Sequence, residues 1–183
     1  MDDAKAKWKV DKLSNWEQVD SFDSEQLKIL LSDFGKRWLA HDGLWFQAVE
    51  HNFDIETAMR LDAQAWGRFS PIEAKRIMKF LKMPEMPGLE GLMEALKFRL
   101  YAFINVQTIE RIDEKTVELK MVDCRVQTAR RRKNLEPFPC KQVGIVEYTT
   151  FAETIDPRIK TECVRCVPDE YNGECWCHWR FRL

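Results

Sequence analysis

The residues with the clearest potential for chemistry are the cysteines of the stretch CVRCVPDEYNGECWCHW, which runs from Cys163 to Trp179. The chain contains six cysteines and three histidines, and this short segment holds four of the cysteines and one of the histidines. Cys163 and Cys166 have the two-residue spacing that lets both thiolates bind one zinc ion about 2.3 Å from each sulfur. Pro168 and the polar residues after it allow a tight return, so the pair Cys175 and Cys177 can approach the first pair.

Strand alternation limits which residues can share a metal. Cys175 and Cys177 point to one face of the last predicted strand, whereas His178 points to the other, so we do not expect His178 to join them. Cys140 begins the preceding predicted helix, where the helix dipole favours a thiolate. The predicted ligands of a structural zinc ion are Cys140, Cys163, Cys166 and either Cys175 or Cys177.

Two other interpretations of the cysteines are weighed against zinc. Free cysteines are often small, buried side chains on an apolar hairpin face, and this alternative stays open. A redox pair is disfavoured because no thioredoxin-like βαβ pattern surrounds the motif.

The elements that position these residues follow from hydrophobic periodicity, which predicts helices throughout the first half of the chain. The first helix is predicted to end at the Asp-Gly pair of AHDGLWF. Asp54 is predicted to cap a second helix. Ser70, Pro71 and Glu73 have the pattern of a capping box and predict the start of a third. A further apolar stripe follows the linker MPEMPG.

The pattern changes near Tyr101, where alternation predicts a hairpin with Val117, Leu119 and Met121 on its buried face. Two short helices, roughly residues 124–134 and 140–154, and a second hairpin follow. The predicted fold is α+β, with a helical N-terminal half packed on a four-stranded antiparallel sheet made of two hairpins separated by two helices. We expect one domain over residues 1–183, with residues 1–22 as an N-terminal arm.

Composition limits the partners that we expect. With 29 basic and 30 acidic residues the formal charge is -1, which offers nucleic acid no general attraction. The run RRRK, from Arg130 to Lys133, surrounds a helix end instead of forming a groove-facing stripe, so we expect no nucleic-acid partner. The sequence has neither a secretory signal pattern nor a long apolar run, so we expect no membrane insertion and a cytoplasmic location. In that reducing compartment cysteines serve as thiols or metal ligands.

Five motifs carry a resemblance to a known family. They are Met-x-x-Cys-x-x-Gln-x-x-Arg, Phe-Pro-Cys-Lys, Ile-Asp-Pro-Arg-Ile, Cys-x-x-Cys-x-Pro-Asp and Cys-x-Trp-x-Phe, which begin at Met121, Phe138, Ile155, Cys163 and Cys177. Together with HDGLWFQAVE at residues 41–50, they resemble an uncharacterised bacterial and archaeal family. That family is similar, more distantly, to L-2-amino-thiazoline-4-carboxylic acid hydrolase-like proteins. The element order also resembles vinyl-reductase-type ligand-binding domains, which share a fold with TRAPP subunits.

The resemblance to vinyl-reductase-type domains implies a zinc ion, a small-molecule pocket between helices and sheet, and a homodimer. The matching zinc positions are Cys140, Cys163 in place of an acidic residue, Cys166, and Cys175 or Cys177. The leading hypothesis is therefore a non-enzymatic zinc-binding domain with a pocket for a small hydrophobic or aromatic ligand.

The hydrolase-like resemblance implies the alternative, a small-molecule hydrolase. Cys124 is its preferred thiol, with a clustered cysteine as substitute if no metal is bound. His41, Asp42 and Glu50 are the other ionisable candidates for catalysis. The sequence leaves open whether the chain is an enzyme.

Overall fold

The computed structural model describes residues 17–171 and 173–183, so residues 1–16 of the predicted arm lie outside the described part of the chain. The helices are α1 Glu17–Asp20, α2 Ser24–Asn52, α3 Ile55–Leu81, α4 Gly88–Leu96, α5 Arg125–Arg132 and α6 Lys141–Ile155, with a 3₁₀ turn at Leu100–Phe103. The strands are β1 Val106–Asp113, β2 Thr116–Asp123, β3 Lys160–Cys166 and β4 Cys177–Arg182. This order confirms the predicted α+β class.

The predicted end of the first helix was wrong, because α2 continues through Asp42 and Gly43 to Asn52. Trp38 and Phe46, on either side of that pair, both pack against the same cluster of buried residues around Trp66. A glycine inside a helix costs only about 1 kcal/mol relative to alanine, which the burial of large side chains on both sides outweighs.

The predicted helix start at Ser70 was also wrong, whereas the cap at Asp54 is confirmed. Asp54 accepts a hydrogen bond from the backbone N–H of Thr57 at 2.6 Å, and α3 then runs without interruption past Pro71. Glu73 does not complete a capping box, because its carboxylate accepts hydrogen bonds from Arg99 Nε and from the backbone N–H of Leu100, both at 2.9 Å. Burial of the helix on both sides of the proline offsets the lost backbone hydrogen bond.

The sheet has the order β1-β2-β4-β3 with every neighbouring pair antiparallel. Both predicted hairpins are confirmed, and Val117, Leu119 and Met121 are buried as predicted. Strand β4 is central and carries Trp179 and Phe181 on the same inward face.

Helix α6 lies between this face of the sheet and α3. Tyr148 stacks on Trp179 with ring centroids 4.7 Å apart. Gly144 allows this close approach, because a Cβ at that position would lie 2.6 Å from the indole of Trp179. The core is therefore built around the contact between α6 and β4.

One face of α2 stays at the surface. Leu31 and Phe34 are each 55% exposed, and Leu27 is also exposed. The part of the chain that the structure describes contains no helix both long and apolar enough to cross a bilayer.

Candidate functional site

Four thiols converge where α6, β3 and β4 meet. The sulfurs of Cys140 and Cys166 lie 3.4 Å apart. The Cys166 thiol also hydrogen-bonds with those of Cys163 and Cys177. Cys166 is 1% exposed, so the centre of this thiol cluster, defined as Cys140, Cys163, Cys166 and Cys177, is sealed from solvent.

A β-bulge brings the two cysteines of the Cys-x-x-Cys motif to one face. In a regular strand, residues three apart point to opposite faces. Here Cys163 pairs with Trp179 and Cys166 pairs with Cys177, with a register shift between Cys163 and Arg165. The extra residue in the bulged strand shifts the alternation by one position, so both thiols point to the same face of the sheet.

Polar contacts fasten the start of α6 to the end of β3. The backbone N–H of Lys141 donates to the carbonyl of Val167 at 2.9 Å. The Lys141 ammonium lies 2.7 Å from Asp169, whose carboxylate also accepts the backbone N–H of Cys166 at 3.1 Å. These contacts fix Cys140, at the N-cap of α6, beside Cys166.

The thiols differ in how readily they ionise. A hydrogen bond from Cys166, together with the nearby Lys141 ammonium, lowers the pKa of Cys163. Hydrogen bonds to Cys140, Cys163 and Cys177, together with burial, raise the pKa of Cys166. Cys163 is therefore more readily ionised than Cys166.

The thiol cluster has the donors of a tetrahedral thiolate site in kind, and one sulfur–sulfur distance can be compared with such a site. Four sulfurs about 2.3 Å from one zinc ion are about 3.8 Å from each other. The Cys140–Cys166 separation of 3.4 Å is a few tenths of an ångström shorter. Within the described ranges, no group of three or more His, Cys, Asp or Glu side chains already has the geometry of a metal site. Zinc would therefore require loss of the thiol protons and a small expansion of the cluster.

The structure gives the two rivals for the last ligand position different neighbours. Cys177 lies in the thiol cluster, opposite Cys166. The sulfur of Cys175 instead lies 3.2 Å from the guanidinium of Arg165. His178 Nε2 is 2.8 Å from Glu118.

The thiol cluster forms one wall of a cavity of about 130 Å³. Helices α2, α3, α5 and α6 and strands β2, β3 and β4 contribute to its lining. Aromatic and aliphatic side chains make up most of its lining, among them Leu39, Phe46, Trp66, Tyr101, Met121, Phe138, Val143, Tyr148 and Trp179. Cys140, Cys166 and Cys177 line it as well, so the thiols and the cavity form one continuous site.

Three carboxyl groups face the same cavity: Asp42, Asp62 and Glu147. Burial, followed by the charges of Asp42 and Glu147, raises the pKa of Asp62 to about 7. Burial raises the pKa of Glu147 to about 7 despite the neighbouring Arg99. Burial also raises the pKa of Asp42, against the opposing effect of His41. Acidic groups with such raised pKa values are a feature of functional sites.

The predicted catalytic residues are only partly brought together. Cys124 and Asp42 line the cavity, but burial raises the pKa of Cys124 to about 12. Glu50 forms a two-pronged contact with Arg130, at 2.8 and 2.9 Å, which lowers the pKa of Glu50. His41 is exposed.

Sequence reasoning missed Asp62 and Glu147, although both left a signal. Asp62 lies midway between the buried Ala58 and Trp66 on α3. Glu147 is likewise flanked, four residues on either side, by the buried Val143 and Phe151 on α6. A carboxyl group on the buried stripe of an amphipathic helix indicates a polar feature inside the fold.

The architecture is an α+β fold whose helices cover one face of an antiparallel sheet, with thiols beside a cavity. The chain belongs to the family of unknown function DUF6125, which it matches over residues 20–183. This confirms the predicted relation to an uncharacterised family. A comparison with curated proteins finds no match. The resemblances to amino-thiazoline hydrolase-like proteins and to vinyl-reductase-type domains stay predictions.

Proposed function

We propose that this chain is a zinc-stabilised domain that binds a small apolar or aromatic molecule in the cavity beside the thiol cluster. The observation that carries the proposal is the position of Cys166, whose thiol contacts three others and also lines the cavity. An ion held by these sulfurs would join the start of α6, the end of β3 and the start of β4.

Zinc would have a structural role at such a site. Four thiolates fill the tetrahedral coordination shell and leave no position for water or substrate. Binding such an ion contributes directly to the free energy of folding, because the unfolded chain lacks the assembled site. The burial of Cys166 and Cys177 supports this role, since a closed site needs no access for substrate.

The cavity supports the second half of the proposal. Its volume of about 130 Å³ is close to that of an apolar cavity known to admit benzene, about 150 Å³. Its aromatic and aliphatic lining with a few convergent polar groups is typical of small-molecule sites.

The zinc half is tested by metal analysis of the purified chain, with a matched pair of variants. We expect about one zinc per chain in the wild type and in Cys175→Ser, and a loss of most of the metal in Cys177→Ser. Cobalt substitution provides a second measurement, because tetrahedral thiolate coordination gives intense visible bands that Cys177→Ser would lose. Six freely titratable thiols with almost no bound zinc would contradict the proposal.

A hydrolase is the second candidate, and one observation favours it: Cys124 and Asp42 line the same cavity. Against it, a thiol with a pKa of about 12 is almost entirely protonated at neutral pH and is a weak nucleophile. Alkylation by iodoacetamide, mapped by mass spectrometry, distinguishes the hydrolase from the binding domain. Rapid and selective modification of Cys124 would favour the hydrolase, whereas a protected Cys124 supports the binding domain.

A homodimer completes the proposal. The exposed apolar residues Leu27, Leu31 and Phe34 on α2 support an interface between two copies, because contiguous apolar surface favours association. Sedimentation equilibrium tests this part, and a monomer at all concentrations would contradict it.

A further inference from the structure

We propose that the cavity selects cationic ligands, namely small molecules that carry a protonated amine on an aromatic or apolar body. This inference rests on the proposed function, because it specifies the ligand class of the same cavity. It is carried by the charge inside the cavity and by the rings around it.

The cavity gathers acidic groups from three helices. Asp42 lies on α2, Asp62 on α3 and Glu147 on α6, and all three line the same space. They are close enough to perturb one another, since Asp42 and Glu147 each act on Asp62 and Asp42 acts on Glu147. Packing three carboxyl groups into one partly apolar space is unfavourable without a compensating positive charge.

The nearby cations of the protein are already committed. Arg99 lies 2.9 Å from Glu73 and 2.7 Å from Glu147, and therefore serves two carboxylates. Arg130 lines the cavity but is held by Glu50. Within residues 17–171 and 173–183, neither Asp42 nor Asp62 takes part in an ion pair, although the exposed His41 acts on Asp42 from a distance. The cavity therefore contains carboxyl groups whose ionised form a bound cation would stabilise.

The cavity walls suit an organic cation. Trp66 and Tyr101 stack with centroids 5.5 Å apart, and both line the cavity. Aromatic faces attract ammonium groups. The same group of rings already holds a positive charge, because the guanidinium carbon of Arg99 lies 5.0 Å from the Tyr148 centroid and 5.7 Å from that of Trp66.

A buried donor gives independent evidence of a missing partner. Trp179 lines the cavity and is 1% exposed, and its indole N–H has no hydrogen-bond partner in the described part of the chain. A buried donor left unpaired costs about 1–3 kcal/mol in general, so such groups in native proteins usually meet water or a ligand. An aromatic ring or a hydroxyl on the ligand would satisfy it.

Binding of a cation would be coupled to proton release. Asp62 and Glu147 hold protons more tightly than ordinary carboxyl groups, and a bound ammonium would displace them. The other titratable groups around the cavity are Tyr101, Tyr148, Cys124, Cys140, Cys166, Cys177, Arg130 and the more distant His41, Glu73 and Arg99. Affinity for a cation is therefore expected to increase from pH 6 to pH 8.

Three ligands of the same ring size, benzylamine, benzyl alcohol and benzoate, test the proposal by titration calorimetry on the full chain. We expect protonated benzylamine to bind at least about tenfold more tightly than benzyl alcohol, with benzoate the weakest. In buffers of different ionisation enthalpy, benzylamine binding should release protons at pH 7.

Two variants test whether the preference for benzylamine arises from the cavity aspartates. Asp62→Asn and Asp42→Asn should each weaken benzylamine at least about fivefold and leave benzyl alcohol within about twofold of the wild type. Glu56→Gln removes the same charge from an exposed site on α3 and should change neither ligand. Using aspartates from two helices keeps the test decisive if one variant fails to fold.

The outcomes separate this inference from the proposed function. Equal or tighter binding of benzyl alcohol or benzoate would overturn the cationic class and leave a ligand cavity in place. Binding of none of the three at millimolar concentration would overturn both the inference and the ligand half of the proposed function.

Discussion

The guanidinium of Arg99 lies 2.7 Å from the carboxylate of Glu147, and both side chains are more than nine-tenths buried. Arg99 also holds Glu73, so one guanidinium joins α3 to α6 behind the cavity. Breaking a buried ion pair on one side leaves an uncompensated charge in the core, which costs more than the pair itself contributes.

Replacing Arg99 by Met is therefore expected to lower the free energy of unfolding by about 3–5 kcal/mol. Urea unfolding followed by circular dichroism measures this. The control is Arg37→Met, because Arg37 and Asp33 form an exposed pair worth at most about 1 kcal/mol. Adding Glu73→Gln and Glu147→Gln to Arg99→Met should restore part of the loss. Equal effects of the Arg99 and Arg37 changes would contradict the ion-pair account.

Asp156 is expected to stabilise the fold at neutral pH and to lose that effect in acid. Its fully buried carboxylate accepts the backbone N–H of Gly88 at 3.1 Å and a guanidinium N–H of Arg158 at 2.7 Å. These contacts, led by the Arg158 hydrogen bond, lower the pKa of Asp156 to about 2. Because its folded pKa lies below its unfolded one, the stabilisation is present above about pH 4 and disappears as the pH falls toward 2.

The corresponding test is Asp156→Asn, which should lose about 2–3 kcal/mol at pH 7 and show a weaker decline between pH 4 and pH 2. Chemical unfolding over this pH range measures both. Glu153→Gln, an exposed change in the last turn of α6, serves as the comparison. If the free energy of unfolding of Asp156→Asn fell as steeply as that of the wild type between pH 4 and pH 2, groups other than Asp156 would account for the loss of stability in acid.

The close contact between α6 and β4 predicts opposite effects for two glycine substitutions. Gly144→Ala would place a Cβ 2.6 Å from the indole of Trp179, and such overpacking is expected to cost about 1–3 kcal/mol. At Gly43 the nearest atom is the amide nitrogen of Gln47, 4.0 Å away, so Gly43→Ala should instead stabilise by about 0.5–1 kcal/mol through its helix propensity. Thermal unfolding measures both, and a stabilising Gly144→Ala would show that α6 can move away from the sheet.

Asp62 is expected to make the protein less stable as the pH rises. Its folded pKa of about 7 exceeds its ordinary value of 3.8, so the unfolded chain loses this proton first. The contribution of Asp62 to stability is then greatest below about pH 4 and declines up to about pH 7, by at most about 1.4 kcal/mol per pH unit. Glu147 contributes in the same direction.

Asp62→Asn should flatten this decline without abolishing it, because Glu147 remains. Urea unfolding at several pH values between 4 and 8 provides the measurement. In Glu56→Gln the slope should match that of the wild type. A wild-type slope retained in Asp62→Asn would mean that the pKa of this carboxyl group is not raised in the folded protein.

The sheet was predictable because alternation is a local property of the sequence. Val117, Leu119 and Met121 alternate with charged residues, and the structure buries all three. The helix boundaries were less predictable, because Gly43 and Pro71 are local signals that packing at a distance overrides. Neither Trp38 nor Phe46 indicates in sequence that both pack near Trp66.

The candidate site was likewise predictable only in part. The spacing of the cysteines predicted that they lie close together. The bulge that turns Cys163 and Cys166 to one face was not predictable, because it depends on the pairing of β3 with β4. Nor could sequence show that Asp42, Asp62 and Glu147, each on a different helix, meet in one cavity. Their approach depends on how α2, α3 and α6 pack, which no local pattern encodes.

The strand order also has a consequence for biosynthesis. Strand β4 lies between β2 and β3, yet the ribosome makes it after both. Until β4 emerges, the nascent chain exposes two unpaired strand edges, which are prone to aggregation. Insertion of β4 is therefore the step that completes the four-stranded sheet.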